Sequence, residues 1–463
     1  MSKKRKPPMP RPAGAAGTRP LIAVVGRPNV GKSTLFNKLA RQRIAIVEDV
    51  PGVTRDRHYA DAWIRGREVV LIDTGGFDPE GDDPMMAGIA GHVQMALLEC
   101  DVVICVFDGS MEPVPADLEA VKLLRGSGKP VLYVANKADS DRKQLGVLSY
   151  YELGIDPIYP ISALHGRGLG DLEDAIGEHL PPPVDEPEDD DVRLPRVAIV
   201  GRPNAGKSSM VNQLIGEERQ LVTDIPGTTV DSVDTLFERD GERMILIDTA
   251  GIRRKAKVGK AGVETMSVYQ AIRAMERSDV VVLMIDAHLG VGEQDAKIAG
   301  LAVDRGRALV VALNKTDLMS KSDIKEAAQR AREVLTFANW AAFLPLSAKT
   351  GRGMNKLLGE VSRAVKNHRR RVPTSEVNQF FEEILVTHPP PTQKNKPVRL
   401  FYITQAEARP PTFVIVSNQP KLVHFSYQRY VVNQLRKRFG FDGTPIRVRY
   451  RGKRKVELPK QKR

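Results

Sequence analysis

Two stretches of this chain have the residue types and spacing to hold a polyphosphate. GRPNVGKS runs from Gly26 to Ser33 and recurs as GRPNAGKS from Gly201 to Ser208. Both match G-x-x-x-x-G-K-[ST], and each follows an apolar run, LIAVV or VAIV. A strand that ends at a glycine and turns into a helix aims successive backbone N–H groups, at the positive end of the helix dipole, into one concavity. The backbone through Arg27, Pro28, Asn29 and Val30, and through Arg202, Pro203, Asn204 and Ala205, forms its wall. Gly26, Gly31, Gly201 and Gly206 allow close approach. Lys32 and Lys207 are point charges for the β- and γ-phosphates, and Ser33 and Ser208 offer a hydroxyl to Mg²⁺.

Four further motifs follow. DTGG, formed by Asp73, Thr74, Gly75 and Gly76 and followed by Phe77, ends the apolar run VVLI. Its aspartate suits water-mediated Mg²⁺ binding, and its glycine N–H can sense a γ-phosphate. Thr54, in PGVTRD between the two motifs, stands where a switch threonine would reach Mg²⁺. NKAD comprises Asn136, Lys137, Ala138 and Asp139. A carboxylate such as Asp139 accepts both the N1–H and the 2-amino N–H of guanine, whereas adenine would leave it buried and unpaired at a cost of about 1–3 kcal/mol or more. The set therefore selects GTP or GDP. In SALHG, after Ser162, an N–H of Ala163 or Leu164 could meet the guanine oxygen.

Every motif repeats. Lys207, Thr229 and Asp248 each lie 175 residues beyond Lys32, Thr54 and Asp73. The second set adds Thr249, Ala250, Gly251 and Ile252 after Asp248, then NKTD (Asn314, Lys315, Thr316, Asp317) and SAKTG from Ser347 and Ala348. The displacement grows to 178 at Asn314 and 185 at Ser347, as surface insertions would cause. The economical reading is a duplicated nucleotide domain.

The elements that must position these residues are legible in outline. Apolar runs at 69–73, 101–107 and 130–136 alternate with amphipathic stretches, which predicts mainly parallel sheets flanked by helices, with ligands beyond the carboxyl ends of the strands. The expected organisation is a basic disordered tail over 1–20, nucleotide domains over 21–180 and 195–371, and an acidic, Pro-rich linker over 181–194. A small α+β domain over 372–452 and a basic tail over 453–463 follow. The 92 residues from Val372 hold eighteen Lys and Arg against six Asp and Glu, nearly all of the chain's net +13. In its last helix Tyr427, Tyr430, Val431 and Leu435 make a core stripe, leaving Arg429, Arg436 and Lys437 to meet phosphate. GFDG, Gly440 to Gly443, reads as a turn, and the basic tail as an RNA contact by counterion release. Cys100 and Cys105 read as buried free thiols. No apolar run is long enough to span a bilayer and no signal peptide is evident, so a soluble cytoplasmic protein is expected.

Two nucleotide domains, an acidic linker and a small basic domain resemble the bacterial tandem GTPase family Der, also called EngA, over residues 21–452. The resemblance implies two P-loop domains of the Ras-like class, a KH-like C-terminal domain, and a role in assembly of the large (50S) ribosomal subunit with its rRNA as partner. A monomer when free is expected. It places guanine recognition on Asn136, Lys137, Asp139, Asn314, Lys315 and Asp317. It places phosphate and Mg²⁺ binding on Lys32, Ser33, Thr54, Asp73, Lys207, Ser208, Thr229 and Asp248. Asn29 and Asn204 are expected to help hold K⁺, the alternative being asparagines that cap their own loop. Ras-like proteins carry a water-orienting glutamine after D-x-x-G; here Phe77 and Ile252 stand there, which predicts slow basal hydrolysis stimulated by K⁺. The contending classes are a tRNA-modifying GTPase resembling MnmE, disfavoured by the lack of a large N-terminal domain and terminal cysteine, and an RNA-binding scaffold with one structural GTP site.

Overall fold

Parallel strands covered on both faces must be apolar along their whole length, and the runs here are. β1 (Leu21–Val25) is buried at every position, as is the seven-residue β4 (Val102–Asp108). The structure is a computed structural model that describes residues 19–40, 59–73, 100–139, 147–182, 194–216, 223–224, 234–239, 242–247, 263–393 and 396–452. Thr54, Thr74, Gly75, Gly76, Phe77, Thr229, Asp248, Thr249, Ala250, Gly251 and Ile252 lie outside these residues, as do residues 1–18, residues 183–193 of the linker and residues 453–463. The described chain divides into two compact units, one up to 182 and one from 194.

In the first unit β1 leads into α1 (Lys32–Ala40), followed by β2 (Tyr59–Ile64), β3 (Arg67–Asp73), β4, α2 (Pro115–Arg125), β5 (Val131–Asn136), a 3₁₀ turn at Val147–Leu153, β6 (Ile158–Pro160) and α3 (Leu169–His179). The strand order is β2-β3-β1-β4-β5-β6, parallel except at β2 against β3. β1 lies between β3 and β4, so the order reverses there and the loop after β1 opens into the crevice where such sheets bind ligands. Cys100 and Cys105 are buried free thiols, and burial pushes the Cys105 thiol far up.

The second unit repeats this plan with β7 (Arg196–Val200), α4 (Lys207–Ile215), β8 (Thr223–Asp224), β9 (Thr235–Arg239), β10 (Glu242–Ile247), α5 (Val263–Arg277) and β11 (Val280–Asp286). α6 (Glu293–Asp304), β12 (Ala308–Asn314), α7 (Lys321–Val334), β13 (Ala342–Pro345) and α8 (Met354–His368) complete it. The sheet order is β13-β12-β11-β7-β10-β9-β8, with β7 in the place of β1. A third domain in the same unit contains α9 (Thr374–Thr387), β14 (Leu400–Glu407), β15 (Thr412–Ser417), α10 (Phe425–Phe439) and β16 (Arg447–Gly452). Its core joins Phe380, Phe381, Ile403, Phe413, Ile415 and Leu435. The fold is thus two α/β domains with mainly parallel sheets and a small α+β domain.

The third domain is stitched to the second nucleotide domain through the GFDG turn. Gly443 donates its N–H to Trp340 O at 2.9 Å and accepts from Leu309 N at 2.8 Å. An added Cβ at Gly443 would lie 2.8 Å from Ala364 Cβ, so only glycine fits this approach. Arg436 corrects an expectation. Its guanidinium stacks 5.2 Å from the Trp340 ring centre and donates to Thr444 O at 2.9 Å, so it belongs to this seam and does not face solvent phosphate. Arg429 and Lys437 remain exposed.

His368, only 1% exposed, sits in the same seam with Nδ1 2.8 Å from Thr444 Oγ1. Burial, aided by Arg307, Arg409 and Arg369 against the opposing pull of Asp279, takes its pKa down from 6.5 to about 3. Between those values the unfolded chain binds a proton that the folded chain refuses. The stability of this unit should therefore be complete above pH 6.5 and fall as pH drops toward 3. His368→Gln, which keeps a donor for Thr444 but does not titrate there, should flatten that decline when urea unfolding at pH 7 is compared with pH 5.

Candidate nucleotide sites

The loop after β1 is shaped by contact with residues more than a hundred positions away. Gly31, with φ of +94°, approaches Asn136 so closely that a Cβ would lie 2.2 Å from its Nδ2. At Gly206, with φ of +100°, the same construction meets Asn314 Nδ2 at 2.1 Å. Asn136 then donates from Nδ2 to Val30 O at 2.8 Å and accepts from Ala163 N at 2.9 Å on Oδ1. Asn314 does likewise with Ala205 O and Ala348 N, both at 2.8 Å. This refines two expectations. Both ends of the asparagine carboxamide tie the phosphate loop to the SALHG or SAKTG loop, a positioning role beside the guanine contact expected of it, for which the amide has a second N–H. The Ala163 N–H is engaged in that tie, which leaves Leu164 as the N–H of the two for a base oxygen.

At the phosphate end, Lys32 Nζ donates to Arg27 O at 2.8 Å, and Lys207 Nζ to Gly201 O and Arg202 O, both at 2.7 Å. Each ammonium thus crosses its own loop and is held there. Ser33 Oγ donates to Asp73 Oδ2 at 2.6 Å, bringing two hard oxygen donors together below the loop. No group of three or more His, Cys, Asp or Glu among the described residues is placed to hold a metal. A hydroxyl and a carboxylate fit Mg²⁺, which uses few protein ligands and completes its shell with phosphate oxygens and water. Asn29 and Asn204 both have φ of 63° and are exposed. Asparagine tolerates this left-handed conformation better than most residues.

The arginines of the two loops serve an anchoring role. Arg27 Nε lies 3.3 Å from Asp117 Oδ1, and Arg202 NH2 2.7 Å from Asp295 Oδ2. These buried aspartates also cap α2 and α6, accepting from Val114 N at 3.1 Å and Gly292 N at 3.0 Å. Burial raises the pKa of both carboxyls despite the opposing arginine and backbone N–H. What Arg27 and Arg202 offer a nucleotide is therefore their backbone.

At the base end, Ser162 Oγ donates to Asp139 Oδ1 at 2.6 Å. In the second domain the Ser347 hydrogen bond is the largest of the effects that hold Asp317 below the usual carboxylate range. Each serine aims its aspartate. Ala138 and Thr316 are buried, and Thr316 Oγ1 bonds Leu346 O at 2.8 Å, so these side chains face the core. Lys137 and Lys315 adopt φ of 67° and 66° and each meets a carboxylate at 2.6 Å, Asp108 for the first and Asp286 for the second. Burial would raise Asp108, but hydrogen bonds from Lys137 and Ser110 outweigh it and lower its pKa.

Asp108, Asp117, Asp286 and Asp295 are absent from the sequence-based site. Their signal was available: both pairs recur at 178 residues, the displacement of Asn136 to Asn314.

A family model described as "50S ribosome-binding GTPase" matches residues 21–137 and 196–315, and one described as the KH-like C-terminal domain of EngA bacterial GTPases matches 371–451. A protein of Symbiobacterium thermophilum named GTPase Der is 46% identical over 444 residues, covering 95% of this chain and 94% of its own length. The chain belongs to the GTPase Der family. A second GTPase Der, from Agathobacter rectalis, is 44% identical over 95% of this chain and 100% of its own. Membership makes the three domains two GTPase domains and a KH-like domain, and the chain a GTP-binding and GTP-hydrolysing protein that uses Mg²⁺.

Asp108→Asn should remove the charge that holds Lys137 in its turn and weaken GDP binding by the first GTPase domain about tenfold, the worth of one charged hydrogen bond. Asp286→Asn should act on the second domain alone. Titration of each variant with fluorescent GDP, with the unaltered domain as internal reference, measures both.

Proposed function

We propose that this protein is a GTPase acting in assembly of the large ribosomal subunit, with nucleotide state controlling its grip on rRNA. The observation that supports it best is the pairing of two phosphate loops, each tied by a buried asparagine, with a KH-like domain that carries most of the net positive charge. In this reading Asp139 and Asp317, aimed by Ser162 and Ser347, select guanine. Lys32 and Lys207 meet the β- and γ-phosphates, while Ser33 with Asp73, and Ser208 with Asp248, hold Mg²⁺. When bound, that ion neutralises charge shared by the β- and γ-phosphates. Thr54 and Thr229 complete the site in the GTP state, and the N–H groups of Gly76 and Gly251 sense the γ-phosphate. The protein works as a cytoplasmic monomer between ribosomal encounters.

Cosedimentation of the full chain with ribosomal particles, in GDP and in a non-hydrolysable GTP analogue, tests the function. Retention on large-subunit particles in one state only is expected; equal retention in both, or none, would end this reading.

Phe77 and Ile252 give the attacking water no hydrogen-bond partner, so charge stabilisation carries hydrolysis and the basal rate is slow. Asn29 and Asn204 stand exposed on the phosphate loops, and an amide oxygen is a donor suited to K⁺. Turnover should be several-fold faster in K⁺ than in Na⁺ at equal ionic strength, and Asn29→Ala with Asn204→Ala should abolish the difference. Equal wild-type rates in the two salts would remove the ion from the account.

A further inference from the structure

The sheet of the KH-like domain has two unlike faces. β14 pairs antiparallel with β15, and β15 parallel with β16. Ile403, Ile415 and Tyr450 stand in register and are buried beneath α9 and α10. Side chains alternate across a sheet, so Tyr402, Val416 and Arg451 form a row on the other face, and Thr404, Val414 and Arg449 form the next. Tyr402 is 44% exposed and Arg449 and Arg451 are exposed, while on the central strand Val414 is half-buried and Val416 is buried, so the accessible part of the face is its outer strands. Arg451 NH2 lies 3.3 Å from Tyr402 Oη, which sets a cation beside the ring.

The charge on this face is one-sided. Of the six acidic residues from Val372 onward, Glu376, Glu382 and Glu383 are on α9, Asp442 is in the GFDG turn and Glu457 is in the tail. Only Glu407 remains, at the end of β14, and it pairs with Arg449 at 3.3 Å. In sequence β16 is followed by Lys453, Arg454 and Lys455. GFDG has the letters of the G-x-x-G clamp of KH domains but is a turn between α10 and β16, and its Gly443 N–H and C=O are both bonded to the second GTPase domain.

We propose that this open sheet face binds single-stranded RNA, one base stacking on Tyr402 while Arg449 and Arg451 contact the phosphates on either side. The proposal rests on the rRNA-docking reading and supplies its chemistry: an aromatic platform in a cationic field needs an unstacked base, so single strands bind and duplexes do not.

The test uses the full chain and a fluorescent 12-nucleotide RNA of mixed sequence, single-stranded or annealed to its complement. The single strand should bind more tightly and lose affinity with rising salt. Tyr402→Ala should weaken it at least about fivefold, as loss of one stacked base does. Tyr402→Phe should keep wild-type affinity, and Arg449→Gln with Arg451→Gln should reduce the salt slope by about two. GTP turnover should be unchanged in all three variants. Unaltered affinity in Tyr402→Ala, equal binding of duplex, or displacement of the RNA by an equimolar poly-glutamate peptide would each overturn the proposal. Cosedimentation of the same variants separates it from the wider reading. If wild type and Tyr402→Ala are both retained equally on large-subunit particles, the platform falls and ribosome docking stands.

Discussion

The architecture of each nucleotide site depends on one buried carboxamide. Asn136 is 3% exposed and bonds at one end to the phosphate loop and at the other to the SALHG loop. These segments are far apart in the chain, and each would otherwise be a surface loop with its own freedom. A buried amide left half-satisfied costs as much as a hydrogen bond or more, so the loops are in register together or the tie is lost. Gly31 belongs to the same device, because the carboxamide occupies the space a side chain would need. The distance between the phosphate-binding and base-binding ends is therefore set by covalent geometry and two hydrogen bonds, which makes the site a ruler for a nucleotide.

Around that tie the ion pairs act on position more than on stability. Removing a buried carboxylate from water costs several kcal/mol, about what a good ion pair returns, so Arg27 with Asp117 adds little net stability. It does fix the phosphate loop to the start of α2, because Asp117 also holds the Val114 N–H. Lys137 with Asp108 has the same logic at the base end: a residue in the left-handed region needs a partner that compensates its strain, and the carboxylate ending β4 supplies it. The second domain repeats both pairs, so the duplication preserved the anchors along with the loops they hold.

What could be read from the chain followed from local pattern. The strands were legible because both faces of a parallel sheet are covered, so Val102 to Phe107 is apolar without interruption. The phosphate loops and NKxD were legible because their residues are contiguous. Asp108 and Asp117 are marked only by their recurrence at 178 residues, and what each does is not legible, since each acts by meeting a side chain many positions away that no periodicity predicts. Asn136 is legible as part of NKAD, but its second task is not: the motif gives its identity, and only the fold reveals that its carboxamide ties two loops together. Arg436 shows the limit of helix-face arithmetic. It lies off the stripe of Val431 and Leu435 and would face water in an isolated domain, but a second surface bearing Trp340 covers it.

That second surface gives the two GTPase domains different mechanical settings despite their matching loops. β12 is buried along all seven residues; its last residue, Asn314, ties the second nucleotide site, and near its start Leu309 bonds Gly443 of the KH-like domain. The end of α5 is held too: Glu276 pairs with Arg305 of the same domain at 2.6 Å, and just beyond the helix Asp279 lies 3.5 Å from Arg369 and 4.0 Å from Arg409, one before and one within the KH-like domain. A close-packed strand does not stretch, so a displacement of Asn314 along the strand axis must either reach the seam or be absorbed by breaking bonds within it. The second site is thus bolted at both ends of one strand, and the seam around Gly443, Trp340 and Arg436 is where any change in its loops would have to be accommodated.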